Sequence, residues 1–394
     1  MISKDMLNLG KKRSVIRDIF EYGMTRKKEI GEENVYDFSL GNPSIPAPDC
    51  VNETIKELLE KEDSIRLHGY TSAPGDLNVR KAISDYINEK YATNLSPNNI
   101  YMTVGAAASL CICLKALAVP GDEFIVFAPF FPEYRVFIQN AGGKPVVVKC
   151  NEENFQIDIN KLTEAITPNT KAILVNSPNN PSGVILSEEN IKSVCKVLKE
   201  KSAEYGHPIY LISDEPYREL VYDDIEVPYL TKYYDNTFVC YSFSKSLSLP
   251  GERIGYIVVS NEMEDWQDAY AAVCGAGRSL GFVCAPSLFQ RVVAKCVGQT
   301  ADISVYKKNR DILYNGLTEL GYKCIKPDGA FYLFVKAMES DAYAFCEKAK
   351  KHELLLVPAD DFGCPGYVRI SYCVTTEQIK NSMPSFEKLA KEYK

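Results

Sequence analysis

Histidine is scarce in this chain, with only His68, His207 and His352 among 394 residues. None of the three stands in a telling setting, and no Gly-x-Ser-x-Gly turn occurs, which argues against a serine hydrolase. No cluster of Cys and His has the spacing of a zinc site, so no metal is expected. The 13 cysteines contain no Cys-x-x-Cys pair, and Cys111 and Cys113, one residue apart on a predicted helix, point to different faces. They read as buried reduced thiols of a cytoplasmic protein. Long apolar runs are also missing: the longest, Ala106 to Pro120, is interrupted by Lys115 and is too short to span a bilayer. No apolar core follows the amino-terminal charges, so no secretory signal is read there. Positive charge is not in excess. With 45 Lys and Arg against 52 Asp and Glu, the net charge is -7. Nucleic acid, which is held through surplus cations, is not an expected partner.

What the chain does have is a series of short apolar runs separated by helical patterns. Phe124–Ala128, Pro145–Lys149, Lys171–Val175, Ile209–Ser213 and Phe238–Ser242 hardly alternate, as expected for strands covered on both faces. Helical stretches at Pro132–Asn140 and Ser187–Tyr205 lie between them, and Ser187 before Glu188 and Glu189 reads as an N-cap. This alternation predicts an α/β fold with a doubly wound, mostly parallel sheet. Ile254–Val259 follows the Phe238–Ser242 strand too closely for a parallel crossover, so it is expected to run antiparallel. After about residue 290 the pattern changes to closely spaced strands and helices, predicting a smaller α+β domain. The expected division is a large domain over residues 46–290 and a small one from residues 1–45 and 291–394.

Ligands in doubly wound sheets sit beyond the carboxyl ends of the strands. Three polar groups fall there: Asn180 in Asn176-Ser-Pro-Asn-Asn180-Pro-Ser-Gly183, Asp214 in Asp214-Glu-Pro-Tyr217, and Lys245 in Ser242-Phe-Ser-Lys245. An amide, a carboxylate and an amine on one crevice suit pyridoxal 5'-phosphate (PLP). A lysine amine forms an imine with an aldehyde, and a carboxylate keeps a pyridine nitrogen protonated. Ser242 and Arg253 flank Lys245 as phosphate donors. Val104-Gly105-Ala106-Ala107-Ala108-Ser109 reads as a turn into a helix whose free N–H groups bind anions, with Ser109 the one side-chain donor available.

The run from Ser242 to Gly255 resembles the lysine signature of the class I/II PLP-dependent aminotransferases, which are aspartate aminotransferase-like and of fold type I. Asn180-Pro-Ser-Gly, Asp214-Glu-Pro-Tyr217 and Tyr367-Val-Arg369-Ile-Ser follow the family's order and spacing from about Asp37 onward. The resemblance implies the following roles. Lys245 holds the cofactor as a Schiff base and shuttles a proton. Asp214 pairs with the pyridinium nitrogen, and Tyr217 and Asn180 bond the ring 3'-oxygen. Phe131, in Pro129-Phe-Phe131-Pro-Glu-Tyr134, stacks on the ring. Gly105, Ala106, Ala107, Ser242 and Arg253 hold the phosphate, and Tyr70 reaches the phosphate of a partner subunit, implying a homodimer. Arg369 clamps the substrate carboxylate, assisted by the Gly41 backbone and Asn180. The chain departs from the pattern at Ala106-Ala107, where relatives carry Ser, Thr or Lys. It departs again at Phe131, where aspartate-specific members commonly carry Trp or Tyr, and at Ser182, where serine replaces threonine. The first two departures weaken aspartate as substrate. Arg278 is a candidate selector of a second substrate carboxylate.

The expected reaction is ping-pong transfer of an amino group between an L-amino acid and a 2-oxo acid. A carbon–sulfur β-lyase acting on cystathionine or cysteine uses the same Lys, Asp and Arg set and stands as the alternative. A PLP-binding transcription regulator is disfavoured by the acidic charge and by the short stretch ahead of Asp37. Gly275-Ala-Gly277-Arg-Ser-Leu-Gly281 imitates a dinucleotide fingerprint, but a predicted helix, not a strand, precedes it.

Overall fold

The computed structural model describes residues 2–11 and 14–394. In chain order its strands are β1 (Tyr36–Asp37), β2 (Ile100–Thr103), β3 (Glu123–Ala128), β4 (Lys144–Lys149), β5 (Thr170–Asn176), β6 (Tyr210–Asp214) and β7 (Thr237–Ser242). They continue as β8 (Gly255–Val259), β9 (Lys323–Cys324), β10 (Tyr332–Lys336), β11 (Leu354–Leu355), β12 (Val357–Pro358) and β13 (Tyr367–Ser371). Seven of them form the principal sheet, in the order β2-β8-β7-β6-β5-β3-β4. Neighbouring pairs are parallel from β7 through to β4, whereas β8 is antiparallel to both β7 and β2. The predicted α/β sheet with one reversed strand is therefore observed.

The lack of alternation in these strands has a direct cause. Along β3, Phe124 and Val126 enter one apolar cluster with Leu110, Leu114 and Val273, while Ile125 and Phe127 enter another with Ile191, Val194 and Leu198. Helices cover both faces, so both sets of side chains are apolar. The glycine run at 275–281 begins inside the helix Trp266–Ser279, which disposes of the dinucleotide resemblance.

A second, four-stranded antiparallel sheet has the order β12-β13-β10-β9, and β1 forms a separate parallel pair with β11. Phe38, which follows β1, is buried with Phe331, Leu333, Ile370, Leu313 and Phe386 in one cluster. Sequence reading treats Leu354–Pro358 as one strand. The structure divides it at Leu356, and its halves pair with different strands, Leu354–Leu355 with β1 and Val357–Pro358 with β13. Among the described residues, no helix is long and apolar enough to cross a membrane.

Candidate active site

The carboxyl ends of β5, β6 and β7 carry Asn176, Asp214 and Ser242 to the same edge of the sheet. A cavity of about 310 Å³ opens there, and Gly41, Ala106, Ala107, Phe131, Asn180, Asp214, Tyr217, Ser242, Lys245, Arg253 and Arg369 all line it. These sequence-predicted residues come from widely separated segments, and the fold brings them to one place.

Lys245 lies on the single helical turn Phe243–Ser246 that caps β7. Its Nζ donates to the Gly41 carbonyl oxygen at 2.6 Å and sits 5.2 Å from the Phe331 ring centroid. Burial, with the positive charges of Arg369 and Arg253 adding, lowers its pKa to about 8 against the opposing influence of Cys373. The site thus makes much more of the free, nucleophilic amine available than an ordinary lysine has.

Asp214 is 5 % exposed. One carboxylate oxygen, Oδ2, accepts from the Tyr134 hydroxyl at 2.5 Å. The other, Oδ1, is buried and has no partner. Burial raises the carboxyl to a pKa of about 7; Tyr134 opposes the shift and Glu215 adds to it. Glu215 is itself neutralised by the buried Arg218. A buried carboxylate oxygen without a donor is costly, and a cationic N–H placed beside it would remove that cost.

Arg369 is 2 % exposed on β13. Its guanidinium donates to Asn180 Oδ1 at 3.2 Å and to the Ser39 carbonyl at 2.5 Å, and its Nε has no partner. Asn180 is fixed from behind: its N–H donates to Asn176 Oδ1 at 2.7 Å, and Asn176 Nδ2 donates to the Asp214 carbonyl at 2.8 Å.

The predicted turn into a helix lies beside the cavity. Gly105 caps the helix Ala106–Leu117 with φ of 96°, and a Cβ there would lie 2.9 Å from an Arg253 guanidinium nitrogen. Only glycine admits both the backbone angle and the close approach of the cation. Ser242 Oγ lies 2.7 Å from Ser244 Oγ. Ser109 departs from expectation. It is fully buried and bonds Thr103 Oγ1 at 2.8 Å and the Gly105 carbonyl at 3.3 Å, so its hydroxyl serves the helix start and does not face the cavity.

Two expected residues lie elsewhere on this chain. Tyr70 is fully exposed and Arg278 is exposed on the helix Trp266–Ser279; neither lines the cavity. Sequence reasoning missed several lining or supporting residues. Tyr134 holds Asp214, Ser244 sits beside Ser242, Tyr332 faces Tyr217 and Arg369, and Ile16 lines the cavity from the helix Val15–Ile30. Ser244 could have been read from its place next to Lys245.

A lysine of lowered pKa, a buried carboxylate with one unpartnered oxygen, a helix start beside a guanidinium and a second, buried guanidinium thus meet at one cavity. The model of the family described as "Aminotransferase class I and II" matches residues 33–385, and the chain belongs to that family. It is similar to an amino transferase from Eubacterium rectale, with a TM-score of 0.98 and 60% identity over 100% of this chain and 99% of that one. It is 31% identical to an aspartate aminotransferase from Thermotoga maritima, over 90% of this chain and 91% of that protein. A probable N-acetyl-LL-diaminopimelate aminotransferase from Bacillus subtilis is 30% identical, over 90% of this chain and 89% of its own length. The chain is an aminotransferase, and the lyase alternative finds no support in these relatives.

Proposed function

We propose that this enzyme binds PLP at the cavity described above and moves amino groups between an L-amino acid and a 2-oxo acid by a ping-pong route. The orphaned Asp214 Oδ1 carries the reading. The donor set fits the cofactor: an amine for its aldehyde, a carboxylate oxygen for its ring N–H, and a helix start with Ser242 and Arg253 for its phosphate. When bound, PLP supplies an electron sink for the substrate carbanion.

The chain's own residues then have separable tasks. Lys245 anchors the cofactor and carries the substrate α-proton. Asp214 holds the proton on the ring nitrogen, and Tyr134 fixes the carboxylate plane. Tyr217 and Asn180 present hydrogen-bond donors to the ring oxygen, and Phe131 covers one ring face. Arg369 grips the α-carboxylate as a planar fork, with Asn180 and Gly41 beside it. Residues 46–290 act as the cofactor-binding domain, and residues 1–45 with 291–394 as the smaller domain. Tyr70, fully exposed, completes the phosphate site of a second copy in a homodimer. The enzyme acts in the cytoplasm.

The test is a visible spectrum of the purified protein. A yellow band that particular amino acids bleach and 2-oxo acids restore is expected, and it names the substrate class. A persisting band with pyruvate and ammonia released from cysteine would instead establish elimination. Arg369→Ala is expected to raise KM for amino acids by about 10²-fold or more, as loss of one charged hydrogen-bonded contact implies, with a smaller change in kcat. An unchanged KM would place the carboxylate clamp elsewhere.

A further inference from the structure

Tyr332 opens β10 and is 3 % exposed, yet it belongs to none of the motifs that identify the site. Its hydroxyl lies 3.0 Å from the Tyr217 hydroxyl. Its ring lies 4.6 Å from the Arg369 guanidinium carbon, the diagonal cross-strand contact expected when Phe334 is paired opposite Arg369. A Cβ on Gly41 would lie 1.9 Å from the Tyr332 hydroxyl oxygen, so the absent side chain at position 41 is what lets this hydroxyl reach its place. Tyr332 therefore touches Arg369, the Gly41 segment that accepts from Lys245, and Tyr217.

The Tyr217–Tyr332 hydrogen bond can run either way, and the two directions differ in what they leave for the cavity. Each phenol has one proton to give. If Tyr217 donates to Tyr332, it has none left for an oxygen in the cavity. If Tyr332 donates to Tyr217, the Tyr217 proton is free to point into the cavity, and the bond it makes there is strengthened by the one it accepts. Burial raises both phenols, so both stay protonated at neutral pH.

We propose that Tyr332 is a positioning residue that donates to the Tyr217 oxygen, orients the Tyr217 proton toward the cofactor's ring oxygen, and so sets the pH at which the bound cofactor titrates. This rests on the PLP reading above. A donor at the ring oxygen draws charge from it and weakens its hold on the neighbouring imine proton; removing the relay raises the pKa of that proton.

The experiment is a pH titration of the visible band of the PLP-loaded protein for wild type, Tyr332→Phe, Tyr217→Phe and the double variant. Tyr332→Phe is expected to raise the midpoint by about half to one pKa unit, the size of one neutral hydrogen bond. It keeps the ring under Arg369, so the shift reports the hydroxyl and not the loss of the ring. In the Tyr217→Phe background the second substitution should add nothing, because the effect travels through Tyr217. An unchanged Tyr332→Phe midpoint, or additive shifts in the double variant, overturns the inference while leaving the PLP reading intact. A wild-type protein that shows no band when supplied with PLP overturns both.

Discussion

Lys245→Ala is expected to lower turnover by at least about 10³-fold, combining the loss of a positioned proton carrier with the loss of the covalent anchor. The variant should still bind PLP, because the helix start, Ser242, Arg253 and Asp214 are untouched. Borohydride should fix the cofactor to the wild-type chain and leave the variant unlabelled. Turnover equal to wild type would remove Lys245 from its role. The lowered pKa adds a pH signature. With a value of about 8, about one tenth of the amine is free at pH 7, far more than for an ordinary lysine. The rate of cofactor attachment to the ligand-free protein should climb about tenfold per pH unit below 8 and level off above it.

Asp214→Asn should lower kcat by about 10²–10³-fold, the scale seen when one preorganised electrostatic contact to developing charge is removed. The asparagine keeps an oxygen for Tyr134, so a rate loss reports the missing negative charge and not a collapsed site. A wild-type kcat would mean that the ring nitrogen needs no carboxylate. The same substitution has a stability readout in the ligand-free protein. The carboxyl moves from 3.8 to about 7 on folding, so the folded state keeps a proton that the unfolded chain releases. Its contribution is present below about pH 4 and is lost as pH rises toward 7, by at most about 4 kcal/mol. Thermal melts of the wild type should therefore fall more steeply over that interval than melts of Asp214→Asn, and adding PLP should remove the difference. Parallel melting curves would show that the carboxyl titrates normally.

The principal sheet was legible because strands covered on both faces leave an unbroken apolar signature, and because a dozen residues between Ser242 and Gly255 cannot hold a parallel crossover. The site residues were legible where they follow such strands: Asn180, Asp214 and Lys245 are each within four residues of a strand end. β2 went unread because Ile100-Tyr-Met-Thr103 is only four residues long, with a polar end. The break at Leu356 was invisible, since only the partners β1 and β13 distinguish the two halves. Tyr134 and Tyr332 were missed for a related reason. Each acts through a partner 80 or 115 residues away, at Asp214 and Tyr217, and neither residue type signals such a partner by itself. Ile16 belongs to the same class, since only its position over the cavity marks it.

The reversal of β8 has a consequence for how the site could change. Arg253 lies two residues before β8, and Lys245 lies three after β7, with Ser242 paired to Gly255. Because the chain turns back at once, anchor and cation share one short loop at one rim. A parallel β8 would begin at the opposite rim, about 16 Å away over five residues, and would take Arg253 with it. The hairpin makes lysine and arginine a single mechanical part, whose spacing is set by the loop's length and not by the packing of a helix. Substitutions in the flanking helices can therefore accumulate without separating the two, whereas one inserted residue between Ser246 and Glu252 would.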